Sequence, residues 1–98
     1  MTSCAHVSAV SYLGERLIEV VFEDGLIRKL DFHSNWQGNL ECLNRDNFLA
    51  QVGVDKIAKT LSWPNGVDLD PEVLYGSHEP AVGGDFFTVV SETKPIRT

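Results

Sequence analysis

Cysteine is scarce in this sequence, with only Cys4 and Cys42 present. Two thiols with no Cys-x-x-Cys spacing cannot build a disulfide framework or, alone, close a zinc site. Basic residues are also few. Eight Lys and Arg stand against fourteen Asp and Glu, giving a net charge of −6. Binding a nucleic-acid duplex takes a basic face that displaces counterions from its phosphates. Here Arg16, Arg28, Lys29, Arg45, Lys56, Lys59, Lys94 and Arg97 are scattered. Only Arg28 and Lys29 adjoin, and neighbours on a strand point to opposite faces. Direct nucleic-acid binding is therefore not expected. No run approaches the ~20 apolar residues of a membrane span. The opening MTSCAHVSAVSY lacks both the basic start and the apolar core of a signal peptide. These absences predict a cytoplasmic protein with reduced thiols and no membrane contact.

What is present suffices for one core. Hydrophobic residues make up 43% of the 98, among them two Trp, two Tyr and five Phe, which argues for a folded single domain over residues 1–98. The first half reads as a meander of strands: Val7 to Leu13 ending at Gly14-Glu15, then Arg16 to Phe22, then Leu26 to Phe32. The turn between the last two fixes their register. A two-residue Asp24-Gly25 loop would put Lys29 and Asp31 on the face of Ile18 and Val20. A three-residue Glu23-Asp24-Gly25 loop, with Gly25 left-handed, sets Ile18 against Leu30 and Glu19 against Lys29. The second arrangement is expected, with Ile18, Val20, Phe22, Leu26, Leu30 and Phe32 lining the core.

His33 to Asn39 is polar and reads as loop. Leu40 to Gln51 predicts a short helix with Asn44 as N-cap and Phe48 facing inward. Gln51 to Asp55 and Lys59 to Trp63 predict two short strands, the second stopped by Pro64 and turned by Asn65-Gly66. In DLDPEVLYG, Asp70 suits an N-cap, Pro71 the first helical position, Glu72 the positive end of the dipole and Gly76 the stop. Beyond it, Gly83-Gly84 forms a joint, Phe86 to Val90 a β-prone run, and Lys94 to Thr98 a frayed end. The expected fold is α+β: an antiparallel sheet of about five short strands with two short helices on one side.

Two passages resemble the family known as domain of unknown function 2442. One is Leu17-Ile18-Glu19-Val20-Val21-Phe22-Glu23-Asp24-Gly25, continuing to Leu30-Asp31. The other is Phe48 to Val52 followed by LSWPNGVDL and PEVLY, in which Trp63, Pro64, Asn65, Gly66, Asp68 and Tyr75 stand out. The likeness covers roughly residues 7–76, leaving 77–98 as a C-terminal extension. It implies a small α+β fold with antiparallel strands, and no established activity, cofactor or catalytic residue. Some members of this bacterial family are fused to a helix-turn-helix, and others are encoded beside small proteins suspected of toxin–antitoxin roles. The 77–98 extension, with two glycines and two prolines, is too short for a helix-turn-helix.

Motifs that carry chemistry are weak here. Counting Asp68 as position 1 of a calcium loop puts Asp70, Glu72 and Glu79 at ligand positions, but Val73 occupies the position that must be glycine. Cys4-x-His6 is the one close Cys–His pair, short of a metal set. No Gly-x-Ser-x-Gly elbow or Gly-rich phosphate loop occurs. Neither an enzyme nor a cofactor is expected. The WPNG residues read as structural: Trp63 as a core anchor, Pro64-Asn65-Gly66 as a turn, and Asp68 as an acceptor for the turn or the helix start. Trp36 in its polar loop reads equally as an interface anchor or as a lid over one end of the core. Phe86 and Phe87 open an edge strand that pairs with its own sheet, a second copy or a partner. The expected function is a non-catalytic interaction or regulatory module, with an unknown protein or itself as partner. The alternatives are a regulatory component of a toxin–antitoxin-like pair and, less favoured, a small enzyme or metal-binding protein.

Overall fold

The hairpin with the densest apolar alternation sets the register of the main sheet. In the computed structural model, which describes residues 6–75 and 86–93, β2 (Leu17–Phe22) and β3 (Ile27–Phe32) pair antiparallel. Ile18 lies opposite Leu30 and Glu19 opposite Lys29. The Phe22 amide donates to the Leu26 carbonyl at 2.8 Å, so the loop is Glu23-Asp24-Gly25, as predicted. Gly25 sits at φ +97°, where a side chain would be strained. Asp24 reinforces the turn, its Oδ1 accepting the Leu26 amide at 3.0 Å. Ile18, Val20, Phe22, Leu26, Leu30 and Phe32 are all buried, each burial favourable by about 1.5–3 kcal/mol.

β1 (Val7–Gly14) pairs with β2, and β6 (Phe87–Thr93) with β3. The sheet therefore runs β1-β2-β3-β6, antiparallel throughout. β4 (Gly53–Asp55) and β5 (Thr60–Ser62) form a separate two-stranded sheet. It lies against β1, where the Val7 amide donates to the Lys59 carbonyl at 3.0 Å. The molecule is α+β, its strands divided between a four-stranded and a two-stranded sheet.

Residues 38–50 differ from expectation. A 3-10 helix (Gly38–Asn44) is followed by α1 (Asp46–Leu49), with Arg45 at the N-cap position and no side-chain cap. Asn44 is not the cap, because its amide is engaged with Trp36. Leu49 is fully buried, while Phe48 is half-buried against the core. α2 (Pro71–Tyr75) opens at Pro71 as predicted, the Asp70 carbonyl accepting the Val73 and Leu74 amides at 3.1 and 3.3 Å. The expected stop at Gly76, the Gly83-Gly84 joint and the tail 94–98 lie outside the described residues.

Arg28 stands opposite Val20, on the core face between buried Leu26 and Leu30. Its Nη1 donates to the Leu74 carbonyl at 2.7 Å, which ties the end of α2 to the sheet. A cation suits a helix C-terminus, where carbonyls lack intrahelical partners. Among the described residues, no helix is long and apolar enough to cross a membrane.

Candidate functional site

The three aromatic residues singled out as possible contacts, Trp36, Phe86 and Phe87, gather around Phe32. Trp36 is 5% exposed. Its ring stacks on Phe32 at 5.6 Å and on Phe86 at 4.7 Å, and Phe87 lies 5.5 Å from Phe32. The indole N–H donates to the His33 carbonyl at 2.9 Å. The Asn44 amide clamps the Trp36 backbone, its Oδ1 accepting the Trp36 N–H at 2.8 Å and its Nδ2 donating to the Trp36 carbonyl at 2.9 Å. Of the two readings of Trp36, the structure has the lid. Satisfying the indole N–H while burying the ring is the usual arrangement for a tryptophan in a core.

This aromatic cluster anchors the start of β6. The His33 amide donates to the Phe86 carbonyl at 2.9 Å, and His33 Nε2 lies 2.7 Å from Thr88 Oγ1. Farther along, β6 is poorly covered. Residues 88–93 are all exposed, with Val89 at 38% and Val90 at 55%. Val90 falls at a register shift, since Leu30 pairs with Val89 and Lys29 with Ser91. Among the described residues, β6 is an outer strand, with β3 on one side only.

The WPNG passage is a turn built from its own residues. The Trp63 amide donates to the Val67 carbonyl and the Gly66 amide to the Trp63 carbonyl, both at 2.9 Å. Asn65 Oδ1 accepts the Val67 amide at 3.1 Å, so Asn65 supplies the side-chain acceptor expected of Asp68. Asp68 instead joins Ser62 through a backbone bridge. Gly66 takes φ +90°. Trp63 is 4% exposed, and its indole N–H donates to the Leu49 carbonyl at 3.1 Å. Tyr75 packs edge-on against Phe22 at 5.0 Å, and its hydroxyl donates to Asp24 Oδ2. That hydrogen bond, with smaller effects of burial and carboxylate charge, raises the Tyr75 pKa above its ordinary value.

Two open depressions flank this turn. One, of about 350 Å³, is lined by Asn39, Leu40, Asn65, Gly66, Val67 and Asp68. The other, of about 390 Å³, is lined by Glu41, Cys42, Asn44 and Arg45. Between them Asn65 Nδ2 donates to Cys42 Sγ at 3.5 Å. The described histidines are engaged elsewhere: His33 lies at Thr88, and His6 Nδ1 lies 3.4 Å from Glu23 Oε1. Glu23 also accepts from Lys59 Nζ at 3.0 Å, and that bond is the largest cause holding the Glu23 pKa below its ordinary value. Among the described residues, no group of three or more His, Cys, Asp or Glu gathers as a metal site would require. Cys4, His78 and Glu79 lie outside the described residues.

The residue that sequence reasoning missed is Arg16. Its Nε donates to the Phe32 carbonyl at 2.8 Å, and its Nη2 to the His33 and Leu43 carbonyls at 2.6 and 2.7 Å. Its Nη1 reaches the Asn44 carbonyl at 3.3 Å and Asp46 Oδ1 at 2.9 Å. One guanidinium thus joins the end of β3, the end of the 3-10 helix and the start of α1. No local pattern marks it. Arg28 was also not singled out, although the alternation Leu26-x-Arg28-x-Leu30 puts it on the core face.

A search of curated proteins and of solved structures finds no match. The family model described as Protein of unknown function (DUF2442) matches residues 7–79. β6 lies beyond that span. The hairpin, the buried Trp63 turn and the Tyr75 helix all fall inside it, and the chain belongs to the DUF2442 family.

Proposed function

We propose that this chain is a non-catalytic interaction module whose contact surface is the distal half of β6. One observation carries the reading: Val89 and Val90 are exposed on an outer strand. Meanwhile Trp36 and Trp63 are buried, and Asn65 and Tyr75 hydrogen-bond within the chain. An outer strand offers a row of backbone donors and acceptors to any extended segment, and β-branched side chains favour such pairing. Catalysis would need a nucleophile, a base and an orienting group converging on one place, whereas the polar groups described above shape turns and clamp backbone.

The test is affinity capture from the source cell with the wild type and with Val90→Lys, a charge on the open edge. A specific protein, or the chain itself, is expected with the wild type and is lost with the variant. A strict monomer that recruits nothing overturns the proposal.

A further inference from the structure

We infer that β6 is a strap: it undocks from β3 as one unit while residues 7–75 stay folded, and so uncovers an aromatic ledge built beforehand. This goes beyond the interaction module and does not rest on it, because the strand opens with or without a partner.

Burial separates the two outer strands of the sheet. β1 contributes Val7, 1% exposed, to the core, and its Val10 and Tyr12 pack against that core. Among the described residues, the buried core runs from Val7 to Leu74 and takes nothing from β6. Phe86 and Phe87 are half-buried, and every residue from 88 to 93 is exposed. Segments that bury few apolar groups open at a lower free energy than the domain around them. The match to the family also ends at residue 79, before β6 begins.

The surface beneath the strand is held by bonds that do not involve it. The Asn44 amide clamps the Trp36 backbone, and the indole N–H donates to the His33 carbonyl. Arg16 takes up the carbonyls of Phe32 and His33. Trp36 and Phe32, stacked on each other, therefore keep their places when Phe86 and Phe87 lift away. At this end β6 holds on through those two rings, the His33–Phe86 backbone bond and the His33–Thr88 contact. At the other end Glu92 is drawn toward Arg28, with Oε1 3.8 Å from Nη2. Between the two ends a register shift at Val90 interrupts the ladder.

Undocked, β3 presents a backbone edge beside an apolar shelf, the two features by which an extended segment is recognised. Docked, β6 fills both. The strap decides when the β3 edge is available.

Two neighbouring amides read the opening. The Phe32 amide donates to the Arg16 carbonyl, at the start of β2, and the His33 amide to the Phe86 carbonyl, both at 2.9 Å. Native-state hydrogen exchange by NMR, at urea concentrations below the unfolding transition, should find His33 about a hundredfold or more less protected than Phe32. Exchange at His33 should respond little to urea, because undocking exposes little surface, whereas exchange at Phe32 should rise steeply. Val7→Ala, at the far edge of the sheet, destabilises the docked and undocked forms alike. It should speed Phe32 about tenfold and leave His33 unchanged. Glu92→Lys turns a like charge toward Arg28 and should speed His33 and the amides along β6 by the same factor. Equal protection and equal urea slopes at Phe32 and His33 overturn the inference, as does acceleration of His33 by Val7→Ala. An increase confined to the C-terminal end of β6 in Glu92→Lys means fraying, and overturns it too. Failure to capture a partner would sink the interaction module and leave these exchange rates as they are.

Discussion

The two hairpin turns of the main sheet solve one geometric problem by different means. Between β2 and β3, the left-handed position is filled by Gly25 and the preceding Asp24 closes the loop on the Leu26 amide. Between β1 and β2, the two-residue loop is Glu15-Arg16, with φ of +54° and +66°. Neither residue favours that region, and each left-handed L-residue costs roughly 1–2 kcal/mol. The first turn is stable by its own chemistry. The second is held from outside: the Arg16 amide donates to Tyr12 Oη at 3.0 Å, and the Arg16 guanidinium is taken up by four carbonyls and Asp46. Strain in the backbone is compensated by contacts far along the chain.

The widest separation between the two turns should come from Arg16→Ala. It strips partners from the carbonyls of Phe32, His33, Leu43 and Asn44 while leaving a left-handed L-residue in place. Hydrogen bonds to a charged donor are each worth about 1.5–3 kcal/mol, but several would relax onto water, so a loss of about 3–4 kcal/mol is expected. Urea unfolding measures it. Arg16→Gly sharpens the comparison, because it loses the same hydrogen bonds and relieves the dihedral; it should be less damaging by about 1 kcal/mol. Equal losses in the two variants would mean that the turn is not strained.

A smaller loss is expected at the other turn. Gly25→Ala forces a side chain to φ +97°, at a cost of about 1–2 kcal/mol. The damage should stay local, since Asp24 still closes the loop and still receives the Tyr75 hydroxyl. Amide hydrogen exchange can check this. Protection should drop around Phe22 and Leu26 after Gly25→Ala, but across residues 32–46 after Arg16→Ala.

The same contrast explains how much of the molecule could be read from its sequence. The register of β2 on β3, the buried face of that hairpin and the WPNG turn were legible because each depends on neighbours within a few residues: Gly25 behind Asp24, Asn65 before Gly66, and apolar residues at alternate positions. Segment 38–50 was not. Asn44 looks like a helix cap, yet its amide serves Trp36, eight residues back along the chain. Arg16 looks like an ordinary surface cation. At the candidate site, the β-prone run of β6 was visible, but the fate of its aromatic residues was not. Trp36, Phe32, Phe86 and Phe87 come together only once β6 has docked on β3. What was lost, in each case, was a side chain whose partner is set by tertiary packing and not by local propensity.

The smallest effect is the most discriminating, because it improves the protein. Glu15 is exposed, and among the described residues no network hangs on its side chain as one does on that of Arg16. If its φ of +54° is a cost borne for the sake of Arg16, a residue at ease in the left-handed region should lower that cost. Asparagine is such a residue and is favoured at the first position of a two-residue hairpin loop. Glu15→Asn should stabilise the domain by about 0.5–1 kcal/mol, read as a rise of a few degrees in thermal midpoint. The change removes one of the fourteen acidic residues, so the measurement belongs at high salt, where a general relief of negative charge is screened. A gain that persists there assigns the strain to the dihedral. A gain that vanishes assigns it to charge, and the two turns would then differ in electrostatics rather than in backbone geometry.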